Sequence, residues 1–218
     1  MKSLNLARPQ MLMIVGNPGA GKSFFARQFS ETFDAPVVAV DRIRYELFAQ
    51  PTFSTDETEL VGRMANYFTD ELLKTKRSFV VDGGCNTRAD RQRLAQTAKQ
   101  SGYDVNIIWV QTDLATCKTR ALKRNPKRSE DDKFTPSLTE QAFDSLVKRF
   151  TEPSRENHVV ISGKHTYGTQ AKMVLRKLIA AREVATEAAH EQAKQATQRP
   201  DPNQNQNQQP TRRGIVIR

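Results

Sequence analysis

Eight consecutive residues constrain this chain more than any others: Gly16-Asn17-Pro18-Gly19-Ala20-Gly21-Lys22-Ser23. They follow a short apolar run at 11–15 and precede Phe24, Phe25, Ala26, Phe29 and Phe33, which recur at helical spacing. The run reads as a strand buried on both faces, and the aromatic series as a helix of about three turns packed on a sheet. Three glycines between such a strand and such a helix let the backbone curl until successive N–H groups face one point at the helix N-terminus. That makes a seat for phosphate oxygens. Lys22 then reaches the β and γ phosphates of a bound nucleotide, and the Ser23 hydroxyl ligates a Mg2+ ion bridging the same oxygens. Residues 16–24, with the later Arg120, are the expected nucleotide site, and ATP and Mg2+ the expected cofactors.

The rest of the chain continues the alternation. A strand at 37–40 delivers Asp41, and a short helix at 42–48 stops near Pro51. Leu60, Val61, Met64, Tyr67, Phe68, Leu72 and Leu73 place a helix over 58–76, and a strand at 79–81 ends at Asp82 before the Gly83-Gly84 turn. A helix at 88–101 closed by Gly102, a strand at 105–110 and a helix at 114–124 capped by Thr112 or Asp113 follow. After a charged, irregular stretch at 125–136 come a helix at 138–150, a last strand at 158–161 and a closing helix from 166 to about 189. Alternation of this kind predicts an α/β fold, a three-layer α/β/α sandwich around a five-stranded parallel sheet with right-handed crossovers. The expected organisation is an N-terminal extension at 1–10, one domain at 11–182 with a lid at about 124–137, and a tail at 183–218.

That tail is low in complexity: residues 203–209 use only Asn and Gln between prolines, and the chain ends on a basic, β-prone tip at 212–218. Such a composition buries too little apolar surface to order itself, so a disordered tail is expected, with the tip available to add a strand to a sheet edge or hold a protein partner. The net charge is +10. From Glu183 onward five Lys and Arg face four Asp and Glu, so the surplus belongs to the folded part and favours anionic partners. Two cysteines with no metal-ligand spacing exclude a disulfide framework or a zinc site as expectations, and no apolar run suits a signal peptide or a membrane span. The expected setting is a reducing cytoplasm with no membrane contact.

In a parallel sheet, residues just past the strand ends meet the ligand. Asp41 and Asp82 occupy such places, one suited to accept a proton from an attacking hydroxyl and the other to hold Mg2+. Arg44, three residues after Asp41, suits an acceptor phosphate. Arg120, Arg124, Lys127 and Arg128 surround the charged stretch and suit a mobile cationic lid. In its Gly-x-Pro-Gly-x-Gly-Lys-Ser loop the chain resembles the phage polynucleotide 5′-kinase domain and the wider zeta-toxin-like P-loop kinases. The resemblance extends to the Asp41-x-x-Arg44 pair, the strand ending in Asp82 with Asn86 and Arg88 beyond it, and the Lys-Arg-Asn-x-Lys-Arg run at 123–128. It spans roughly residues 11–150. It implies a P-loop NTPase fold and a kinase in which Asp41 is the general base, Arg44 binds an acceptor phosphate, and Arg124 or Arg128 stabilises the transition state. Asp82, Asn86 and Arg88 would line the acceptor side. The implied acceptor is a 5′-hydroxyl polynucleotide end, with a small metabolite or nucleotide sugar as the alternative. A nucleotide-dependent switch that holds a partner through its tail is the reading from a different class. Gly83-Gly84-Cys85 stands where the 5′-kinases have a shorter polar turn, no phosphatase domain follows, and the Asn/Gln tail is foreign to the pattern.

Overall fold

All six residues of the first strand, β1 (Gln10–Val15), are buried, as a central strand covered on both faces requires. In this computed structural model, which describes residues 8–125, 134–135 and 137–180, β1 lies between β3 (Phe79–Asp82) and β4 (Asp104–Gln111), parallel to both. The outer strands are β2 (Val37–Ala39), paired with β3, and β5 (His158–Ser162), paired with β4. The sheet is wholly parallel, in the order β2-β3-β1-β4-β5.

Side chains alternate across β1, so its residues serve two cores. Leu12 and Ile14 join Phe25 and Phe29 of α1 (Lys22–Phe33), Cys117 and Ala121 of α5 (Leu114–Leu122), Phe143 of α6 (Glu140–Arg149), and Val174 and Leu178 of α7, which covers 167–180. Met11, Met13 and Val15 pack instead with Ala65 and Leu73 of α3 (Thr55–Thr75) and Ala98 of α4 (Arg88–Gln100), and Ile43 of α2 (Val40–Leu47) flanks that cluster. The result is the expected three-layer sandwich. Phe25 and Phe29 are fully buried, and each contributes about 1.5–3 kcal/mol by leaving water. They hold α1, and so the loop before it, against the sheet.

Local signals explain where the elements begin and end. Helix α1 stops at Asp34, whose left-handed φ of 52° ends the hydrogen-bond ladder. Helix α3 starts at Thr55, three residues before the expected start at 58, because Ser54 accepts from the Glu57 amide and caps it. A capping box between Thr87 and Asp90 opens α4. Asp113, one of the two expected caps, starts α5 by accepting from the Thr116 amide. One boundary differs in a way that matters for the site. The strand expected over 37–40 ends at Ala39, so Asp41 stands in the first turn of α2 and not at the tip of β2.

The chain divides into two units, Met1–Ile179 and Ala180–Arg218. The Asn/Gln tract, the basic tip at 212–218 and most of the expected lid, including Lys127 and Arg128, lie outside the described residues. No helix among the described residues is long and apolar enough to cross a membrane.

Candidate active site

The loop from Gly16 to Gly21 leaves the C-terminal edge of β1 in a conformation that side chains would prevent. Gly19 has φ of +82°, and a Cβ there would lie 2.2 Å from the Cys117 carbonyl oxygen. At Gly16, φ is +144° and a Cβ would meet the Val110 carbonyl oxygen at 2.4 Å. The loop is therefore pressed against the end of β4 and the first turn of α5, and only glycine fits both positions. Inside the curve the Ala20 amide donates to the Asn17 carbonyl at 3.1 Å. Lys22 folds back so that Nζ donates to the carbonyl oxygens of Gly16 and Asn17, each at 3.0 Å. The Asn17 Oδ1 is buried without a partner.

Two carboxylates face this lysine. Burial lowers the Lys22 pKa from its ordinary value, while the negative charges of Asp82 and Asp41 pull it back up and Arg124 opposes them. Asp82 is 8% exposed. Its pKa is raised by burial, partly offset by a hydrogen bond from the Ser23 hydroxyl and by the charge of Lys22, while Asp41 adds to the rise and Arg124 works against it. The Ser23 hydroxyl and the buried Asp82 carboxylate, both acting on the same protonation equilibrium beside the loop lysine, offer two oxygen ligands. Mg2+ takes hard oxygen ligands and keeps one or two carboxylates together with phosphate and water, so Ser23 and Asp82 fit it. Among the described residues no three His, Cys, Asp or Glu side chains cluster as a metal cage.

The expected residues thus divide. Gly16 to Ser23, Asp41, Asp82 and Arg124 come together at one edge of the sheet. Asp41 is exposed at the start of α2, and its neighbour Arg42 stacks over the Phe134 ring at 5.1 Å. Phe24 is 48% exposed beside the loop lysine and serine. Arg120 donates to the Gly163 carbonyl at 3.1 Å. Asn86 turns its carbonyl to the Thr151 amide at 2.9 Å and to Arg91 Nη1 at 3.3 Å, and Arg88 is exposed at the start of α4.

Arg44 corrects the sequence expectation. It does not share an open face with Asp41 but is 6% exposed, with Nη1 donating to Glu57 Oε1, Nη2 donating to Thr58 Oγ1 at 3.3 Å, and the guanidinium 4.7 Å from the Phe53 ring centre. Burial alone would raise the Glu57 carboxyl. Hydrogen bonds from Arg44 and Thr52 outweigh that and hold it at about 2. The physical reason is the short turn between α2 and α3, which brings a buried carboxylate against the arginine and leaves its donors engaged. Arg44 therefore anchors that turn. A second pair, the buried Arg91 with the half-buried Glu156 at 2.6 Å, holds the Cys85 and Asn86 carbonyls in the turn past β3. No local sequence pattern singles out either partner, because Glu57 lies 13 and Glu156 lies 65 residues from its arginine.

The chain matches the family model AAA_33, described as an AAA domain, over residues 11–153. It belongs to the AAA domain family. Among relatives of this AAA domain, a Kti12 homolog of Oryza sativa subsp. indica is 28% identical over 154 residues, which cover 67% of this chain and 49% of that protein. The chain thus spans about half the length of the curated relatives it matches. A gluconokinase from Sinorhizobium meliloti superposes with a TM-score of 0.58 at 15% identity, covering 85% of this chain and 99% of that one. Kti12 of Chaetomium thermophilum, in complex with ADP-AlF3, superposes with a TM-score of 0.60 at 16% identity, covering 79% and 98%. At these identities the superpositions establish a P-loop kinase-like fold. They leave the polynucleotide-kinase and zeta-toxin groups as a resemblance carried by motifs.

Proposed function

We propose that this chain binds Mg2+ and ATP at the Gly16–Ser23 loop and transfers the γ-phosphoryl group to a hydroxyl. The observation that carries the reading is the convergence of Lys22, folded back on the loop carbonyls, with the carboxylates of Asp82 and Asp41, whose charges act on it. Loop amides and Lys22 hold the phosphates, and Lys22 exchanges its bonds to the Gly16 and Asn17 carbonyls for phosphate oxygens. Ser23 and Asp82 would hold the metal, which neutralises charge on the β and γ oxygens. Asp41, exposed and close enough for its charge to act on both Lys22 and Asp82, accepts the proton of the attacking hydroxyl. Arg124, whose charge is also felt at Lys22 and Asp82, stabilises charge on the group in transit, with Arg128 as the further lid cation.

A 5′-hydroxyl polynucleotide end is the favoured acceptor, supported by the charge of +10 and by the motifs shared with the 5′-kinases. Exposed Arg42 and Arg88 are candidates to meet its backbone. The engagement of Arg44 with Glu57 favours a second reading, a small polyhydroxylated acceptor that needs no dedicated phosphate grip, and a nucleotide sugar is the other small-acceptor alternative. The deciding experiment offers γ-labelled ATP with 5′-hydroxyl RNA, 5′-hydroxyl DNA, nucleosides, sugar acids and nucleotide sugars, comparing the unsubstituted protein with Asp41→Ala. Label should move to one acceptor class and be lost in the variant. Release of inorganic phosphate with no labelled acceptor would replace the kinase reading by an ATP-hydrolysing switch, for which the 212–218 tip is the candidate partner contact.

A further inference from the structure

The phosphate loop is braced from behind by residues that no phosphate-binding motif contains. Thr112, just past β4, donates its hydroxyl to the Ala20 carbonyl at 3.0 Å. Gly163, just past β5, lies against the same carbonyl, so that a Cβ built there would sit 1.9 Å from the Ala20 oxygen and 2.3 Å from Thr112 Oγ1. The turn holding Gly163 is itself fixed from three sides. Its amide donates to the Gln111 carbonyl at 2.8 Å, its carbonyl accepts from Arg120 at 3.1 Å, and the preceding Ser162 carbonyl accepts from Nε2 of Gln170 at 2.8 Å. Gln170 is 2% exposed, so this last bond is shielded from water.

The consequence follows from peptide geometry. The Ala20–Gly21 unit is planar and trans, so a carbonyl turned outward to Thr112 aims the Gly21 N–H the opposite way, into the hollow of the loop where Lys22 Nζ lies. A loop that binds phosphate through amides fails if one carbonyl swings inward, because two oxygens then face each other. We propose that Thr112 and Gly163 are positioning residues for nucleotide binding, which hold the Ala20–Gly21 peptide in its anion-binding orientation. Both act on the Ala20 carbonyl. Thr112 supplies the hydrogen bond and Gly163 supplies the absence of a side chain that allows it. The proposal rests on the nucleotide-binding reading of the loop.

The test is ADP affinity, by titration calorimetry with Mg2+, alongside thermal unfolding without nucleotide, in the full chain. Thr112→Val keeps the shape and removes the hydroxyl, and is expected to weaken ADP about tenfold with an unfolding midpoint close to that of the unsubstituted protein. Thr112→Ser restores the donor and is expected to restore the affinity. Gly163→Ala, which forces the Ala20 carbonyl to move, is expected to weaken ADP by more than Thr112→Val does. Equal ADP affinity in Thr112→Val and the unsubstituted protein overturns the inference, as does failure of Thr112→Ser to recover it. If the unsubstituted protein does not bind ADP, the nucleotide-binding reading falls as well, which separates the two failures.

Discussion

Arg44 is where pattern and packing part most clearly at the scale of single residues. Three positions from Asp41 it reads as an acceptor-side cation, yet its donors are spent on Glu57 and Thr58. Replacing it with methionine leaves the Glu57 carboxylate buried with only Thr52 and Phe53 as donors. Arg44→Met should therefore lower the thermal midpoint on the order of 10 °C, while the KM for an acceptor stays near its original value in the protein that remains folded. A large rise in acceptor KM with an unchanged midpoint would return Arg44 to the acceptor site. The same pair sets a pH dependence. Folding lowers the Glu57 pKa from 4.5 to about 2, so between those values the unfolded chain holds more protons than the native state. Stability rises with pH across that window and is lost as pH falls through it. Melting curves from pH 5 to pH 2 should be visibly flatter in Glu57→Gln, and parallel acid limbs would contradict the assignment.

Among the elements, the loop and α1 act as one unit. Aromatic side chains seat the helix in the core, and the helix in turn holds Lys22 and Ser23 at its first turn. The loop adds only Ala20 to that core and otherwise depends on close backbone approach to β4 and α5. Gly19→Ala should cost at least about tenfold in ADP affinity, since it adds a methyl 2.2 Å from the Cys117 carbonyl oxygen at a φ of +82°. Most of the loss should be in binding, because the burial of Phe25 and Phe29 that seats α1 is untouched. Calorimetry with circular dichroism on the same samples checks both halves of that statement. An unfolded variant would mean that the loop conformation stabilises the sandwich as well as the ligand.

For the whole molecule, charge and topology have separate consequences. The surplus of ten positive charges makes acceptor class readable by salt. With a polynucleotide acceptor, KM should rise by an order of magnitude or more between about 50 and 200 mM salt, whereas a small acceptor held by a few contacts should change by about twofold; steady-state kinetics with each labelled acceptor separates them. Topology explains what could be read in advance. The phosphate loop was legible because its chemistry lies in eight contiguous residues and needs only a strand before and a helix after. The place of Asp82 at the end of β3 was legible because the apolar run at 79–81 stops there. Both inferences use neighbours in sequence or a rule about strands in general. The engagement of Arg44 was hidden because its partner sits 13 residues away across a turn whose geometry no local pattern specifies. Thr112 and Gly163 were hidden for a stronger reason. Their contact with Ala20 spans 92 residues in one case, and the proximity of both follows from the order β2-β3-β1-β4-β5, which seats β4 beside β1 and β5 beside β4. Local sequence therefore specified the phosphate seat and the kind of fold that carries it. Strand order and side-chain packing, which emerge only when the chain closes on itself, chose which arginine is committed to the fold and which residues hold the seat in shape.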